Sequence, residues 1–431
     1  PKTSVSGARK EHGIVYTPEF ITAFIVDQTL GKTLDEKRTA CLNSYQVDQN
    51  WRKTTAEEKR YAKNLVQPER VVELLFWRAW LVELSTLKIC DPACGSGAFL
   101  VAVFDVLRAE YTSINAQIAT ITGSMDVFNA DKTILNGNLY GVDLNAESIE
   151  ITKLSLWLKT AQYGKPLESL EAHLRVGNSL ITTNFDWNAE FPEVNAQGGF
   201  DVIVGNPPYV RQERISPLKP YLEKNYSVFN GGVDLYAYFF EQGIRLLRPE
   251  KGRLGFISSG TFFKTSSGAP LRKYLLENSQ LESIVDFSDV QVFEGVTTYP
   301  IIITMRRTAT PDSVQEIRFL AIKNKIPTKL NEAFKEKSAV LIQGQLNTQS
   351  WQLEDNRLNA LRQKIIGQHP TLKEVYGSPW RGIVTGFNEA FVINRIQRDA
   401  LIAEDPCSAE LLKPLLEGKD LKKWHIESRD L

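Results

Sequence analysis

The tetrapeptide Asn206-Pro207-Pro208-Tyr209 is the stretch of this sequence with the most definite chemistry. It follows an apolar run, Val202–Val204 within FDVIVGNPPYV, that reads as a strand. Two successive prolines fix φ and remove two N–H donors. What remains is a rigid row of acceptors, the Asn206 side-chain oxygen and the Pro207 carbonyl. Such a row suits an exocyclic amino group, which has two hydrogens to donate. Accepting both concentrates the lone pair on the nitrogen and aims it at an electrophile. Tyr209 adds a flat face for a planar base. A proline-rich turn after a strand is the plain structural alternative, and a bare Asn-Pro-Pro would not exclude it.

A second segment argues against that alternative. KICDPACGSGAFL, Lys88–Leu100, places an acid at the end of a short apolar strand, then a glycine-rich turn, then a helix. In doubly wound sheets ligands lie outside the carboxyl ends of the strands. Gly95 and Gly97 let backbone approach a ligand closely. A dinucleotide fingerprint would want a third glycine at position 100, which is Leu. Asp91 would repel a pyrophosphate and attract a cation. S-adenosylmethionine, with an ammonium and a sulfonium, fits it better than NAD. The next strand ends in Gly141–Asn145, GVDLN, where Asp143 stands ready to accept from two ribose hydroxyls. A helix N-cap before Ala146–Leu158 is the competing role for Asp143. The strand after that ends in RVGNSL, offering Asn178 or Ser179 to an adenine edge.

In this arrangement the chain resembles the N6-adenine DNA methyltransferases of type II restriction-modification systems, with the motif order of the TaqI type. The motifs run GIVYTPEF, DPACGSGAFL, GVDLN, GNS, GNPPYV, then DLYAYFFEQGIRLLRPEKGRLGFISSGTFF and VFEGVTTYPIIIT. The likeness covers residues 11–306. It returns at 376–424 with YGSPWRGIVTGFNEAFVI and LLKPLLEGKDLKKW, which is similar to the entrance of a target-recognition domain in enzymes that fuse restriction and modification. The resemblance implies a Rossmann-like sheet of seven strands, S-adenosylmethionine as cofactor, and double-stranded DNA as partner. It implies that Tyr16, Thr17 and Pro18 close over the methionine end of the cofactor. Asp91, Pro92, Ala93, Gly95 and Gly97 would line that end, Asp143 and Leu144 the ribose side, and Asn178 and Ser179 the adenine. Relatives often carry Asp at the place of Asn178. Asn206, Pro207, Pro208 and Tyr209 would be catalytic, and Phe293 a second aromatic against the flipped base. Cytosine-directed relatives usually carry Ser where Asn206 stands, so Asn points to adenine. Protein-glutamine and RNA methyltransferases share the tetrapeptide; a non-catalytic DNA-recognition scaffold would be expected to have lost it.

The elements that must position these groups can be read from the pattern. Short strands are expected at 87–91, 139–143, 173–177, 200–205, 253–258, 281–287 and 299–306, with helices at 97–110, 145–162, 233–248 and 268–279. Alternation of this kind predicts a parallel, doubly wound α/β sheet. The last two strands are joined by a short connection, which predicts an antiparallel hairpin at one edge. Thr17 is expected to cap a helix begun by Pro18. The domains expected are a helical segment at 1–86, a catalytic domain at 87–310, a connecting segment at 311–375 and the start of a recognition domain at 376–431. The chain opens on Pro1 and stops at Leu431, and a longer parent protein is expected, with a nuclease possible outside this chain.

Composition adds bounds. At 431 residues the chain exceeds one compact core. Lys plus Arg and Asp plus Glu both number 51, so global charge does not signal nucleic acid. Arg211, Arg214, Lys219 and Lys224 form a local basic set suited to phosphate contact. No apolar run approaches the ~20 residues of a membrane span. Cys90 and Cys94 lie close together with no His or second Cys pair nearby. They read as buried thiols of a reduced, cytoplasmic protein, and no metal is expected. None of His12, His173, His369 and His425 adjoins the catalytic loop in sequence. Glu57-Glu58-Lys59 fits only the tail of a nuclease pattern and reads as a helix face.

Overall fold

The computed structural model describes residues 17–124, 129–161, 167–287, 290–293 and 300–351, with parts of 353–427. It divides into two compact units, Pro1–Asn359 and Ala360–Leu431. Tyr16 and most of GIVTGFNEAF lie outside the described residues.

The first unit is built on a nine-stranded sheet. In chain order its strands are β1 (Ile89–Asp91), β2 (Leu139–Asp143), β3 (Leu174–Val176), β4 (Val202–Gly205), β5 (Arg253–Ser259), β6 (Ser279–Asp286), β7 (Pro300–Arg307), β8 (Glu316–Ala321) and β9 (Ala339–Ile342). Their order across the sheet is β3-β2-β1-β4-β5-β7-β6-β8-β9. The first five run parallel. The order reverses between β1 and β4, so the loops after those two strands open on either side of a crevice at the carboxyl edge. The strand most central to this crevice, β4, is VIVG and is wholly buried, as befits a strand covered on both faces.

All seven expected strands form, and the sheet is Rossmann-like. Two expectations are corrected. The β6–β7 hairpin is antiparallel but not at an edge: β7 inserts between β5 and β6 and pairs antiparallel with both. And the segment after residue 310 supplies β8 and β9, which extend the sheet beyond β6. The mix of exposed and buried residues along β8, EIRFLA, is a half-covered strand's pattern, weaker than the continuous apolar runs nearer the centre.

Helices cover both faces. On one lie α1 (Glu19–Val26), α2 (Lys32–Asn43), α3 (Val71–Thr86) and α4 (Ala98–Thr122), whose Phe24, Trp80, Phe104 and Tyr111 join the core over Ile89, Val202 and Ile257. On the other lie α6 (Tyr236–Leu246) and α7 (Ala269–Asn278), with Phe240, Leu271 and Leu275 over Ile203, Leu254 and Ile303. The α5 helix (Ala146–Thr160) crosses from β2 to β3. Ion pairs made by the buried Arg253 tie the N-terminal helices to the sheet. Arg253 on β5 bonds Glu36 at 2.9 Å, Glu282 at 3.1 Å and Thr33 at 3.2 Å.

Glu58, in the nuclease-like tripeptide, closes a capping box with Thr55 at the start of the helix Ala56–Ala62. It also pairs with Arg52 at 2.6 Å, so its chemistry is spent on local structure. Among the described residues no helix is long and apolar enough to cross a membrane. The second unit holds short helices at Leu372–Tyr376, Arg395–Glu404 and Ser408–Leu411, and a small antiparallel pair, Leu421–Lys422 with His425–Ile426.

Candidate active site

The site is assembled at the carboxyl ends of β1, β2, β3 and β4. The loop after β1 is made left-handed at two points, Gly95 at φ 53° and Gly97 at φ 83°. A Cβ on Gly97 would stand 2.9 Å from the Thr152 side chain of α5, so glycine is needed for space as well as for conformation. Around Gly95 a Cβ would meet nothing within 4 Å. There the backbone borders open space that a ligand can fill.

Asp143 holds this loop in place. Its Oδ2 accepts from Gly95 N–H at 2.9 Å and its Oδ1 from Asn145 N–H at 2.8 Å. The helix cap, the competing role for Asp143, falls to Asn145, whose side chain accepts from Glu147 N–H. Cys94 N–H bonds the Val142 carbonyl at 3.0 Å. The β1 loop is thus tied to β2 by both backbone and side chain. Ser179, 4 % exposed, donates its hydroxyl to the Pro92 carbonyl at 2.5 Å. It braces the loop from the β3 side. Asn178 accepts from Leu180 N–H through Oδ1, which leaves its amide N–H₂ as the group to offer a ligand. Leu144 is exposed, an apolar lip beside Asp143, while Pro92 is buried and Ala93 half-buried.

Asp91 is only 1 % exposed. Its Oδ1 accepts from Ala93 N–H at 3.0 Å. A Cβ on Gly205 would approach that same oxygen to 2.8 Å. The carboxyl therefore sits between the β1 loop and the strand that delivers Asn206. Burial pushes its pKa up to about 8, with the Asp143 charge adding to the rise and the Ala93 N–H opposing it. Cys90 and Cys94 are buried free thiols, pushed well above their ordinary range by the same burial.

Past Gly205 the chain enters Asn206-Pro207-Pro208-Tyr209. Asn206 donates its Nδ2 to the Thr17 hydroxyl at 3.1 Å. Its Oδ1 is enclosed and accepts nothing among the described residues. Buried polar atoms are rarely left unpaired, so an orphaned acceptor here marks the place of a missing donor. Thr17 does not cap the helix as expected. The N-cap of α1 is Pro18, with no side-chain cap bond, and the Thr17 hydroxyl is turned to Asn206 instead. Tyr209 and Phe293 meet edge to face, ring centroids 6.0 Å apart at 65°. The Tyr209 hydroxyl is buried and, among the described residues, unpaired, and burial raises its pKa. The exit of the loop is fixed by Asp234, which accepts from Gln212 N–H at 2.9 Å, and by Leu235 N–H on the Val210 carbonyl.

Residues 137–293, from the start of β2 through the tetrapeptide to Phe293, match the family model described as Eco57I restriction-modification methylase. The chain carries an Eco57I restriction-modification methylase domain. It is 29 % identical over 349 residues to the type II restriction enzyme and methyltransferase RM.Eco57I of Escherichia coli, covering 74 % of this chain and 34 % of that protein. To the type II methyltransferase M.XhoI of Xanthomonas vasicola it is 32 % identical over 325 residues, covering 72 % and 56 %. Among solved structures the fold matches a nuclease-deletion mutant of the Type ISP restriction-modification enzyme LlaGI in complex with a DNA substrate mimic. The TM-score is 0.51 at 16 % identity, over 80 % of this chain and 28 % of that one. The chain thus spans only part of the length of these relatives.

Of the methylase residues expected from sequence, the structure brings Asp91, Gly95, Gly97, Asp143 and Ser179 into one bonded loop system and sets Asn206 against Thr17. Lys219 is not a free phosphate contact, since its Nζ donates to Gln212 and to the Gly231 carbonyl. Arg211, Arg214 and Lys224 are exposed. Sequence reasoning missed Asp234. Asp234 opens DLYAYFF, and its acid just before a helix was the available signal.

Proposed function

We propose that this chain is the methylating part of a restriction-modification protein, and that it transfers a methyl group from S-adenosylmethionine to N6 of an adenine flipped out of double-stranded DNA. The observation that carries this reading is the Asn206 amide, its N–H₂ engaged by Thr17 and its oxygen enclosed and, among the described residues, unpaired.

The donor set of the β1 loop fits the proposed cofactor. Open space over Gly95, the Asp143 carboxylate at the end of β2, and the Asn178 amide supply a cradle, an acceptor for hydroxyls and a donor for a ring nitrogen. Asp91 supports the loop from behind, because it is too enclosed to be a surface contact. When bound, S-adenosylmethionine supplies an electrophilic sulfonium methyl group.

The target base must leave the duplex for its amino group to be reached, at a cost of a few kcal/mol. Stacking on Tyr209 returns on the order of 1–3 kcal/mol. The Tyr209 and Phe293 rings are too close for a base to be sandwiched between them, so the base lies on Tyr209 and meets Phe293 at its edge. Asn206 Oδ1 and the Pro207 carbonyl accept the two N6 hydrogens. The nitrogen lone pair is then held out of the ring's conjugation and pointed at the methyl carbon. After transfer one N6 hydrogen leaves as a proton to water. Positioning and fixed dipoles supply the acceleration.

The test is transfer of a labelled methyl group to DNA by the full-length protein. Asn206→Ala should lower the rate by about 10²–10³ while leaving cofactor affinity, measured by calorimetry, within a few-fold. A variant that methylates at the wild-type rate would remove Asn206 from the mechanism.

A further inference from the structure

An amide is nearly symmetric in shape but opposite in polarity at its two ends. If Asn206 were turned by 180° about its last bond, Nδ2 would face the target amino group, donor against donor, and the site would lose its acceptor. Something must hold the productive orientation. Asn206 receives no such bond from its own loop. The one hydrogen bond of its side chain among the described residues runs 189 positions back along the chain, to Thr17.

We infer that Thr17 is a positioning residue for catalysis, whose hydroxyl accepts from Asn206 Nδ2 and so fixes the amide with Oδ1 toward the substrate amino group. The inference rests on the methyl-transfer reading above. It differs from the role that sequence suggested for Thr17, closure over the cofactor. Three features converge on it. Thr17 is 6 % exposed, so water does not compete for the bond. Its hydroxyl is not used to cap α1, although it stands directly before Pro18, the N-cap. And α1 is held rigidly, with Ile21, Phe24 and Ile25 wholly buried and α2 clamped by Arg253, so the hydroxyl has a fixed address. A site within half an ångström of its productive geometry needs such support from outside its own loop.

Replacing the hydroxyl by a methyl leaves Nδ2 buried without a partner and the amide free to turn. The penalty for such a group corresponds to roughly 10- to 100-fold in rate. The experiment compares wild type, Thr17→Val, Thr17→Ala and Thr17→Ser in the full-length protein. It measures kcat at saturating cofactor and DNA, with cofactor affinity by calorimetry and folding by circular dichroism. Thr17→Val should lose about 10- to 100-fold in kcat with cofactor affinity within a few-fold, and Thr17→Ser should stay close to wild type. Thr17→Ala, which adds no bulk, should match Thr17→Val and decides the case if the valine variant does not fold. Wild-type kcat in Thr17→Val or Thr17→Ala, whatever happens to cofactor affinity, overturns the inference. A wild-type protein that transfers no methyl group to DNA overturns the reading beneath it.

Discussion

Asp143 carries two loads, and one substitution separates them. Sequence alone suggests an acceptor for ribose hydroxyls, in which case Asp143→Ala would weaken the cofactor and leave the empty protein unchanged. The structure shows two backbone N–H groups already on this carboxylate, Gly95 at 2.9 Å and Asn145 at 2.8 Å. A hydrogen bond to a charged group is worth about 1.5–3 kcal/mol net. Asp143 is partly exposed, so the lower end applies, and losing both bonds should cost about 3 kcal/mol. That cost belongs to the ligand-free protein. Urea unfolding read by tryptophan fluorescence, without cofactor, should show the midpoint of Asp143→Ala shifted down with little change in slope. Calorimetry should then show cofactor binding weakened as well, since Gly95 is no longer held. A variant that loses cofactor affinity yet unfolds within ~0.5 kcal/mol of wild type would refute the fastening role and return Asp143 to ligand contact alone.

Two further outcomes follow from the same geometry. Asp91 in the folded chain is pushed up to about 8 by burial, from 3.8. A carboxyl raised on folding contributes stability that is complete below 3.8 and is lost as pH rises through 8. Ligand-free wild type should therefore lose stability between pH 5 and 8.5 relative to Asp91→Asn; parallel pH profiles in urea unfolding would contradict this. At Tyr209 the hydroxyl is buried and unpaired among the described residues, so Tyr209→Phe should keep or slightly gain stability and keep methyl transfer. Tyr209→Ala should lose it, because stacking needs the ring and not the hydroxyl. Methyl transfer measured in parallel decides, and equal rates in the Ala and Phe variants would remove the ring from the mechanism.

The positions of these groups were legible in sequence wherever one strand and its following loop determine them. VIVG before Asn206 and KIC before Asp91 are short apolar runs ended by a turn, and both became buried parallel strands with the expected residue at the carboxyl end. What one strand cannot show is what another strand does to it. The insertion of β7 between β5 and β6 depends on long-range pairing. So does the addition of β8 and β9, whose half-polar patterns resemble loop. Bonds between side chains distant in sequence were illegible for the same reason. Thr17 before Pro18 has the local look of a helix cap, and only the folded sheet places it against Asn206. Ser179 read as a ligand contact because its hydroxyl could serve one. Its use on the Pro92 carbonyl is visible only once β1 and β3 share a sheet.

The central claim is that the methyl group arrives on the exocyclic nitrogen of adenine. The direct measurement is mass spectrometry of nucleosides from duplex DNA incubated with the full-length protein and isotopically labelled S-adenosylmethionine. The account predicts label in N6-methyladenine, present with wild type and reduced by about 10²–10³ with Asn206→Ala. Label in N4-methylcytosine or 5-methylcytosine, or none in DNA at all, would contradict it.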